Sequence, residues 1–216
     1  AMANKADNNG AGSSIDKKGI AAAYRFGIGT ANEFSASLYH LDNNNGMNYG
    51  MPWIRPTATS PASDQTLLPL DPTAYYGMAS DYNDGQATRL TFNHLHRFDS
   101  DTEVKTQVQK GAYKRDQRAG TVRIVGNTNA TPGATNLTNL GPGTVLSRGT
   151  QLKIQDMDTR YAQSDFSTKF NALGFKHEML SGVDFASEKR QVYGARSALQ
   201  GGVVPVKPNT TVGTPD

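Results

Sequence analysis

Residues 161–172 have the sequence YAQSDFSTKFNA, and the chain then turns at residues 173–175 and returns through Met179, Val183 and Phe185. Successive side chains of a β-strand point to opposite faces, so residues of one parity share a face. In residues 161–172 the apolar side chains have one parity and the polar ones the other: Ala162, Phe166, Phe170 and Ala172 against Gln163, Asp165, Ser167, Lys169 and Asn171. The returning arm alternates in the same way, so the two arms predict an amphipathic β-hairpin.

Two kinds of protein contain such a hairpin. A water-soluble β-sandwich turns the apolar face inward, to a dry core between two sheets. An outer-membrane β-barrel turns the apolar face outward, to lipid, and the polar face toward a wet interior. The hairpin alone is compatible with both, so the choice depends on the rest of the chain.

The composition excludes several classes of protein. The chain has 216 residues, no cysteine and a formal net charge of +3, and its mean hydropathy is −0.58. No apolar run approaches the roughly 18 residues that a membrane-spanning helix needs. Disulfide and thiolate chemistry are excluded, and no basic cluster indicates nucleic-acid binding. A membrane barrel remains compatible, since half of its strand residues face water.

The chain contains two further hairpins of the same kind. One spans residues 18–39 with a turn at Gly29, and the next spans residues 89–112 with a turn at Asp99; Gly174 marks the turn of the third. Between the hairpins lie polar stretches rich in Asn, Pro, Gly and Thr. These stretches predict long loops at 42–85 and 116–150 and a loop tail after about Gly194.

Short turns at one end and long loops at the other favour an outer-membrane barrel, which has short periplasmic turns and long extracellular loops. The apolar parity would then face lipid, and several aromatic residues near the short turns would form an interface girdle. We expect the outward face to carry Ile20, Tyr24, Phe26, Phe34, Leu38, Leu90, Phe92, Val104, Val108, Phe166, Phe170, Val183 and Phe185. We expect the girdle to contain Phe26, Phe34, Phe98, Phe170 and Phe175.

Two motifs resemble the barrel region of TonB-dependent ferric-siderophore receptors, especially the catecholate-type branch. The first is Tyr-Gly-x-Pro-Trp at residues 49–53, which opens an extracellular loop in that family. The second has the form His-x4-Gly-x2-Phe-x2-Glu and spans residues 177–188 on a returning strand. The resemblance covers most of residues 17–195. It implies an outer-membrane receptor that binds and imports a ferric siderophore, with a plug domain and TonB as partners.

The chain departs from the family pattern in size. It predicts about six strands in three hairpins, whereas the family has a barrel of the 22-stranded class and an N-terminal plug. We therefore expect an internal piece of the barrel, with a non-native remnant and loop at 1–16, a barrel segment at 17–195 and a loop tail at 196–216. Its open strand edges also predict self-association. The alternative is a soluble β-sandwich or small barrel that acts as a binding or adhesion module.

Enzyme and metal chemistry find little support in the sequence. His94 and His96 have a metal-compatible i,i+2 spacing, but their strand supplies no third ligand. The chain has no nucleophile elbow, phosphate-binding glycine loop or dinucleotide fingerprint. We therefore predict no enzyme activity, no metal site and no cofactor.

The loop at 42–85 is the candidate ligand-binding element. Ferric catecholates are flat, aromatic and anionic, so aromatic rings for stacking and cationic side chains suit them. Lys105, Gln107 and Arg115 have the parity that we expect to face the interior, and they would extend this surface. The predicted binding residues are Tyr49, Trp53, Arg55, Tyr75, Tyr76 and Tyr82 of the loop, with Arg89 and Arg160 on the interior parity.

Overall fold

The computed structural model describes residues 1–7, 12–195, 199 and 207–215. Seven strands form one antiparallel meander in the order β1-β2-β3-β4-β5-β6-β7, and a short β8 pairs with β6. No helix among the described residues is long and apolar enough to cross a bilayer. The strands are β1 (Met2–Ala6), β2 (Ile15–Phe26), β3 (Asn32–Asn45), β4 (Tyr82–Arg97), β5 (Thr102–Ile124), β6 (Val145–Ala172), β7 (Phe175–Tyr193) and β8 (Thr210–Thr211).

The register of the sheet places the apolar parity of every strand on one face. Each residue of a cross-strand row is the direct partner of the next, so a row runs across the sheet on a single side. One such row is Tyr24, Ala36, Phe92, Val108, Ala162 and Phe185. The alternation predicted from the sequence is therefore confirmed along β2 to β7.

No second layer of the described residues covers this apolar face, which we call the outward face. Phe185 is 61% exposed and Val183 is 71% exposed. A soluble sandwich would bury these side chains against another sheet. The all-β meander with an exposed apolar side is instead the wall of a membrane barrel, as predicted.

Aromatic rings gather on the outward face near the short turns. The ring centroids of Phe26 and Phe34 are 4.9 Å apart, and those of Phe34 and His94 are 4.4 Å apart. The turn below them needs glycine at position 27, where φ is +71° and a Cβ atom would lie 2.2 Å from the carbonyl oxygen of Asn32. Such a belt is typical of a membrane interface.

The N-terminal boundary of the strand region differs from the prediction. Residues 2–6, expected within a remnant and loop, form β1 and pair with residues 15–19 of β2. The meander thus has seven strands rather than about six. A strand can add to an open edge through its backbone groups alone, so the polar sequence of residues 2–6 gave no alternating signal.

The long loops are shorter than predicted because the strands continue into them. The first loop spans 46–81 rather than 42–85, and the second spans 125–144 rather than 116–150. β5 has 23 residues and β6 has 28, whereas a bilayer needs roughly 9–11 residues per strand. Residues 119–124 extend beyond β4 and pair only with β6. About half of the predicted tail at 196–216 lies outside the described residues, and its described part includes β8.

The outward face predicts unequal effects of arginine at two adjacent positions of β4. Phe92→Arg puts a charge among apolar neighbours, and it should lower the free energy of unfolding in lipid vesicles by about 2–4 kcal/mol. In Thr91→Arg the new side chain lies on the polar face, so the free energy of unfolding should change by less than about 1 kcal/mol. Urea titration of protein refolded in phosphatidylcholine vesicles measures both values. Equal losses for the two variants would contradict the assignment of faces.

Candidate functional site

The loops at the long-loop end share a hydrophobic core with the β5–β6 extension. We call residues 46–81, 125–144 and 207–215, with strand residues 119–124 and 145–154, the loop assembly. Its central cluster of buried side chains is Ile54, Tyr76, Val122, Ile124 and Leu146. Because an ordered apolar core holds these loops, the side chains that remain on their surface have defined positions.

Asp81 connects three parts of the loop assembly. Its Oδ2 atom accepts hydrogen bonds from the backbone N–H of Gly120 at 2.7 Å and of Met78 at 3.3 Å. Its Oδ1 atom forms an ion pair with Lys207. Both side chains are almost fully buried, so separating the pair would leave a charge without compensation. Asp81 thus fixes the first loop to β5 and to the segment at 207–215.

Tyr75 and Tyr76 pack inside the loop assembly. The hydroxyl of Tyr75 donates to the carbonyl of Met47 at 2.9 Å, and that of Tyr76 donates to the carbonyl of Val212 at 2.9 Å. Both residues are at least 95% buried. Burial raises the pKa of the Tyr76 phenol above its usual value. The structure gives these two predicted binding residues a place in the core rather than on the ligand-accessible surface.

Tyr49 is held by Gln117 of β5, which in turn accepts a hydrogen bond from Arg115. The Nε2 atom of Gln117 donates to the Tyr49 hydroxyl oxygen at 2.5 Å, and the Gln117 carbonyl oxygen accepts from Nη2 of Arg115. Gln117 is fully buried, whereas Tyr49 is 43% exposed. We call these three residues the Tyr49 bracket. It links the Tyr49 ring to the Arg115 guanidinium group through one amide on the polar parity of β5.

Trp53 and Arg55 are the sequence neighbours of the buried Ile54, and their side chains have different roles. Trp53 is 59% exposed, so its indole is accessible to a ligand. Arg55 instead joins the loops, because its Nη1 atom donates to the carbonyl of Ser60 at 2.9 Å and its carbonyl accepts from the N–H of Leu137 at 3.0 Å. Arg55 therefore braces the surface that carries Trp53.

Tyr82 starts β4 on the outward parity, beyond the apolar band. The guanidinium carbon of Arg118, its cross-strand partner, lies 5.5 Å from the Tyr82 ring centroid. Burial raises the pKa of Tyr82, and the charge of Asp116 raises it further. Burial and Asp116 also raise the pKa of Asp84. Tyr82 thus belongs to a packed cluster at the outer side of the wall.

Arg89 lies on the polar face of the sheet, as predicted. It is the cross-strand partner of Tyr39 on β3 and of Gly111 on β5, and its side chain is exposed. Lys105 and Gln107 share this parity, closer to the short turns. The polar face therefore continues downward from the Tyr49 bracket.

The interior assignment of Arg160 is wrong. Arg160 pairs with Lys110 on β5 and with Ser187 on β7, in the same row as Leu38 and Leu90 of the outward face. Its parity on β6 is that of Ala162 and Phe166, which determines the face. Arg160 therefore stands on the opposite side of the wall from Arg89.

The two histidines of β4 contact the side-chain amide of Asn32 and the rings of two phenylalanines. Nε2 of His94 and Nδ1 of His96 lie 3.0 and 2.8 Å from Oδ1 of Asn32. His94 stacks on Phe34, and His96 meets the edge of Phe98. Among the described residues, no three His, Cys, Asp or Glu side chains are grouped so that they could hold a metal ion.

Sequence reasoning missed the residues that organise the loops. Gln117 lay in a stretch expected to be loop, although its parity continues that of Lys105 and Arg115 on β5. Because Gln117 is two residues beyond Arg115, the same alternation places Gln117 on the polar face. The pairing of Asp81 with Lys207 joins positions 126 residues apart, and no local pattern predicts such a contact.

The chain is similar to proteins of known role, although no protein-family model matches it. It is 24% identical over 184 residues to the catecholate siderophore receptor Fiu of Escherichia coli O157:H7, and equally to Fiu of Escherichia coli K12. Each match covers 83% of the chain and 24% of the receptor. The chain is therefore similar in sequence to catecholate siderophore receptors. It spans about a quarter of the length of these curated relatives.

Solved structures of siderophore receptors have the same fold. The closed form of the ferric-catecholate import receptor Fiu from Escherichia coli K12 matches with a TM-score of 0.74 and 21% identity, over 100% of this chain and 29% of that chain. The siderophore receptor PiuA from Acinetobacter baumannii matches with a TM-score of 0.64 and 18% identity, over 95% and 29%. The predicted resemblance, fold and outer-membrane location are confirmed. The relatives are receptors rather than enzymes.

The Tyr49 bracket predicts a local effect of removing its central amide. Gln117→Leu deletes the donor to Tyr49 and the acceptor for Arg115, and a buried hydrogen bond contributes about 1 kcal/mol. Backbone amides at residues 46–51 should therefore exchange with solvent about fivefold faster, as measured by hydrogen–deuterium exchange.

Gln107→Leu is the matched control, since Gln107 has the same polar parity lower on β5 and no side-chain hydrogen bond among the described residues. It should leave exchange at residues 46–51 unchanged. Identical exchange in Gln117→Leu and the original protein would show that the bracket does not order the loop.

Proposed function

We propose that this chain supplies part of the wall and outer binding surface of an outer-membrane receptor that binds and imports a ferric siderophore. The whole receptor would add a plug domain and take energy from TonB, as the family resemblance implies. The chain's own contribution is the polar face of β2 to β7 and the loop assembly above it.

The Tyr49 bracket is the observation that carries the proposal. A ferric catecholate offers flat aromatic faces and negative charge, which fit a tyrosine ring and an arginine that are joined to the same amide. Gln117 holds the Tyr49 ring through its hydroxyl, and Arg115 approaches the same amide from the other side. The ring and the cation are thus ordered before ligand arrives, which lowers the entropic cost of binding.

Other residues divide into ligand contacts and supports. Trp53 adds an exposed aromatic face, and Arg89 adds positive charge deeper on the polar face. Tyr75, Tyr76 and Arg55 support the loops. The proposed binding set is Tyr49, Trp53, Arg89 and Arg115.

The soluble binding-module alternative receives no support from the exposed apolar face. Such a module would expose Tyr24, Phe92, Val183 and Phe185 to water, a patch far larger than monomeric soluble proteins usually tolerate. Lipid contact accounts for all of these side chains at once.

Titration with a ferric tris-catecholate, followed by the fluorescence of Trp53, tests the proposal. Trp53 is the single tryptophan, so quenching reports on the loop directly. Tyr49→Ala and Arg115→Ala should each weaken binding about tenfold, equivalent to ~1.4 kcal/mol.

Two matched variants serve as controls. Tyr24→Ala removes an exposed tyrosine of the outward face, and Arg123→Ala removes an exposed arginine near the tip of β5. Both should retain the original affinity. No quenching at saturating ligand, or equal losses in controls and test variants, would rule out the Tyr49 bracket as the binding site.

A further inference from the structure

Two cations stand side by side on the outward face. Lys110 and Arg160 are direct cross-strand partners on β5 and β6, so their Cβ atoms are about 4.5–5.5 Å apart. Both side chains are exposed. Neither has an ion pair or hydrogen bond with another described side chain. Like charges directly opposite one another destabilise a sheet unless an anion lies between them.

An apolar groove crosses the outward face from β2 to β7 along two adjacent cross-strand rows, and the two cations lie in the row farther from the short turns. Its volume is about 720 Å³, and Lys110 and Arg160 are its charged lining residues. The other outward-facing side chains that line it are apolar: Ala22, Tyr24, Ala36, Leu38, Leu90, Phe92, Val108, Ala162 and Phe185. The groove thus offers hydrocarbon contact along its length and positive charge on the edge that is farther from the short turns.

A second, polar cleft of about 390 Å³ lies above the groove and shares both cations with it. Lys189 and Asp158 face each other across β6 and β7 and also line this cleft. Three cations and one carboxylate leave two positive charges at this position. An anion with two negative charges, such as a phosphate monoester, complements it.

The height of the pair on the wall identifies the source of the anion. Toward the short turns the outward face is apolar, and beyond Lys110 it becomes charged at Lys114, Asp116 and Arg118. Lys110 and Arg160 therefore mark the upper boundary of the apolar band. Long cationic side chains at such a boundary reach toward lipid headgroups while their stems stay in hydrocarbon.

We propose that the outward face binds a phosphate-bearing lipid of the outer leaflet. An acyl chain lies in the apolar groove, and the phosphate is held between Lys110 and Arg160. Arginine donates two parallel hydrogen bonds to phosphate, and lysine adds a compact charge. The site is on the opposite side of the wall from the Tyr49 bracket and is independent of siderophore binding.

Lipid binding by the full chain in dodecylmaltoside micelles tests the proposal. The probes are lysophosphatidic acid, which carries a phosphate monoester, and lysophosphatidylcholine with the same acyl chain. Isothermal titration calorimetry should show saturable binding of lysophosphatidic acid, at least about tenfold tighter than lysophosphatidylcholine. Lys110→Ala with Arg160→Ala should abolish that preference.

The matched control is Arg89→Ala with Lys105→Ala, which removes the same charge from the polar face. It should keep the preference for lysophosphatidic acid. The proposal is overturned if the double variant at 110 and 160 keeps the original preference for lysophosphatidic acid. It is also overturned if the control variant loses as much of that preference as the double variant does. Inorganic phosphate that competes as strongly as lysophosphatidic acid would show a plain anion site and would also overturn it.

Discussion

The requirement that every backbone N–H and C=O in hydrocarbon be paired governs this structure. A bilayer offers no water to these groups, so a strand can cross it only inside a continuous hydrogen-bonded ladder. The antiparallel ladder meets that requirement for β3 to β6, each of which is paired on both sides along the apolar band. Its period of two places one parity outward in every strand. The apolar composition of that parity and the polar composition of the other follow from what each side contacts.

The same ladder accounts for the loop assembly. β5 and β6 continue well past the apolar band, where residues 119–124 of β5 pair only with β6 and residues 145–146 of β6 also pair with β8. Side chains there contact loops instead of lipid, so Val122, Ile124 and Leu146 acquire an ordinary dry core with Ile54 and Tyr76. The chain therefore has lipid-facing apolar side chains below and a small globular core above. The Tyr49 bracket rests on that core, so its geometry depends on both.

Sequence reasoning succeeded where a repeated local pattern carried the information. Alternation gave the faces of Phe92, Val108 and Phe185, and the turn residues gave the hairpins. It failed where the structure depends on distant contacts. An aromatic residue in an irregular loop has the same sequence signature whether buried or exposed, so Tyr75 and Tyr76 could not be separated from Tyr49. Arg160 differs from these residues, because its parity on β6 is that of Ala162 and Phe166 and local alternation alone places it on the outward face.

The lipid exposure of alternate residues along one strand tests the account most directly. Single spin labels at Gln163, Ser164, Asp165 and Phe166 of β6, in protein reconstituted in lipid vesicles, would be compared for collisions with oxygen and with a water-soluble nickel chelate. The account predicts that labels at 164 and 166 collide mainly with oxygen, which concentrates in lipid, and labels at 163 and 165 mainly with the chelate. Equal accessibility at all four positions, or the opposite alternation, would contradict an outward apolar face.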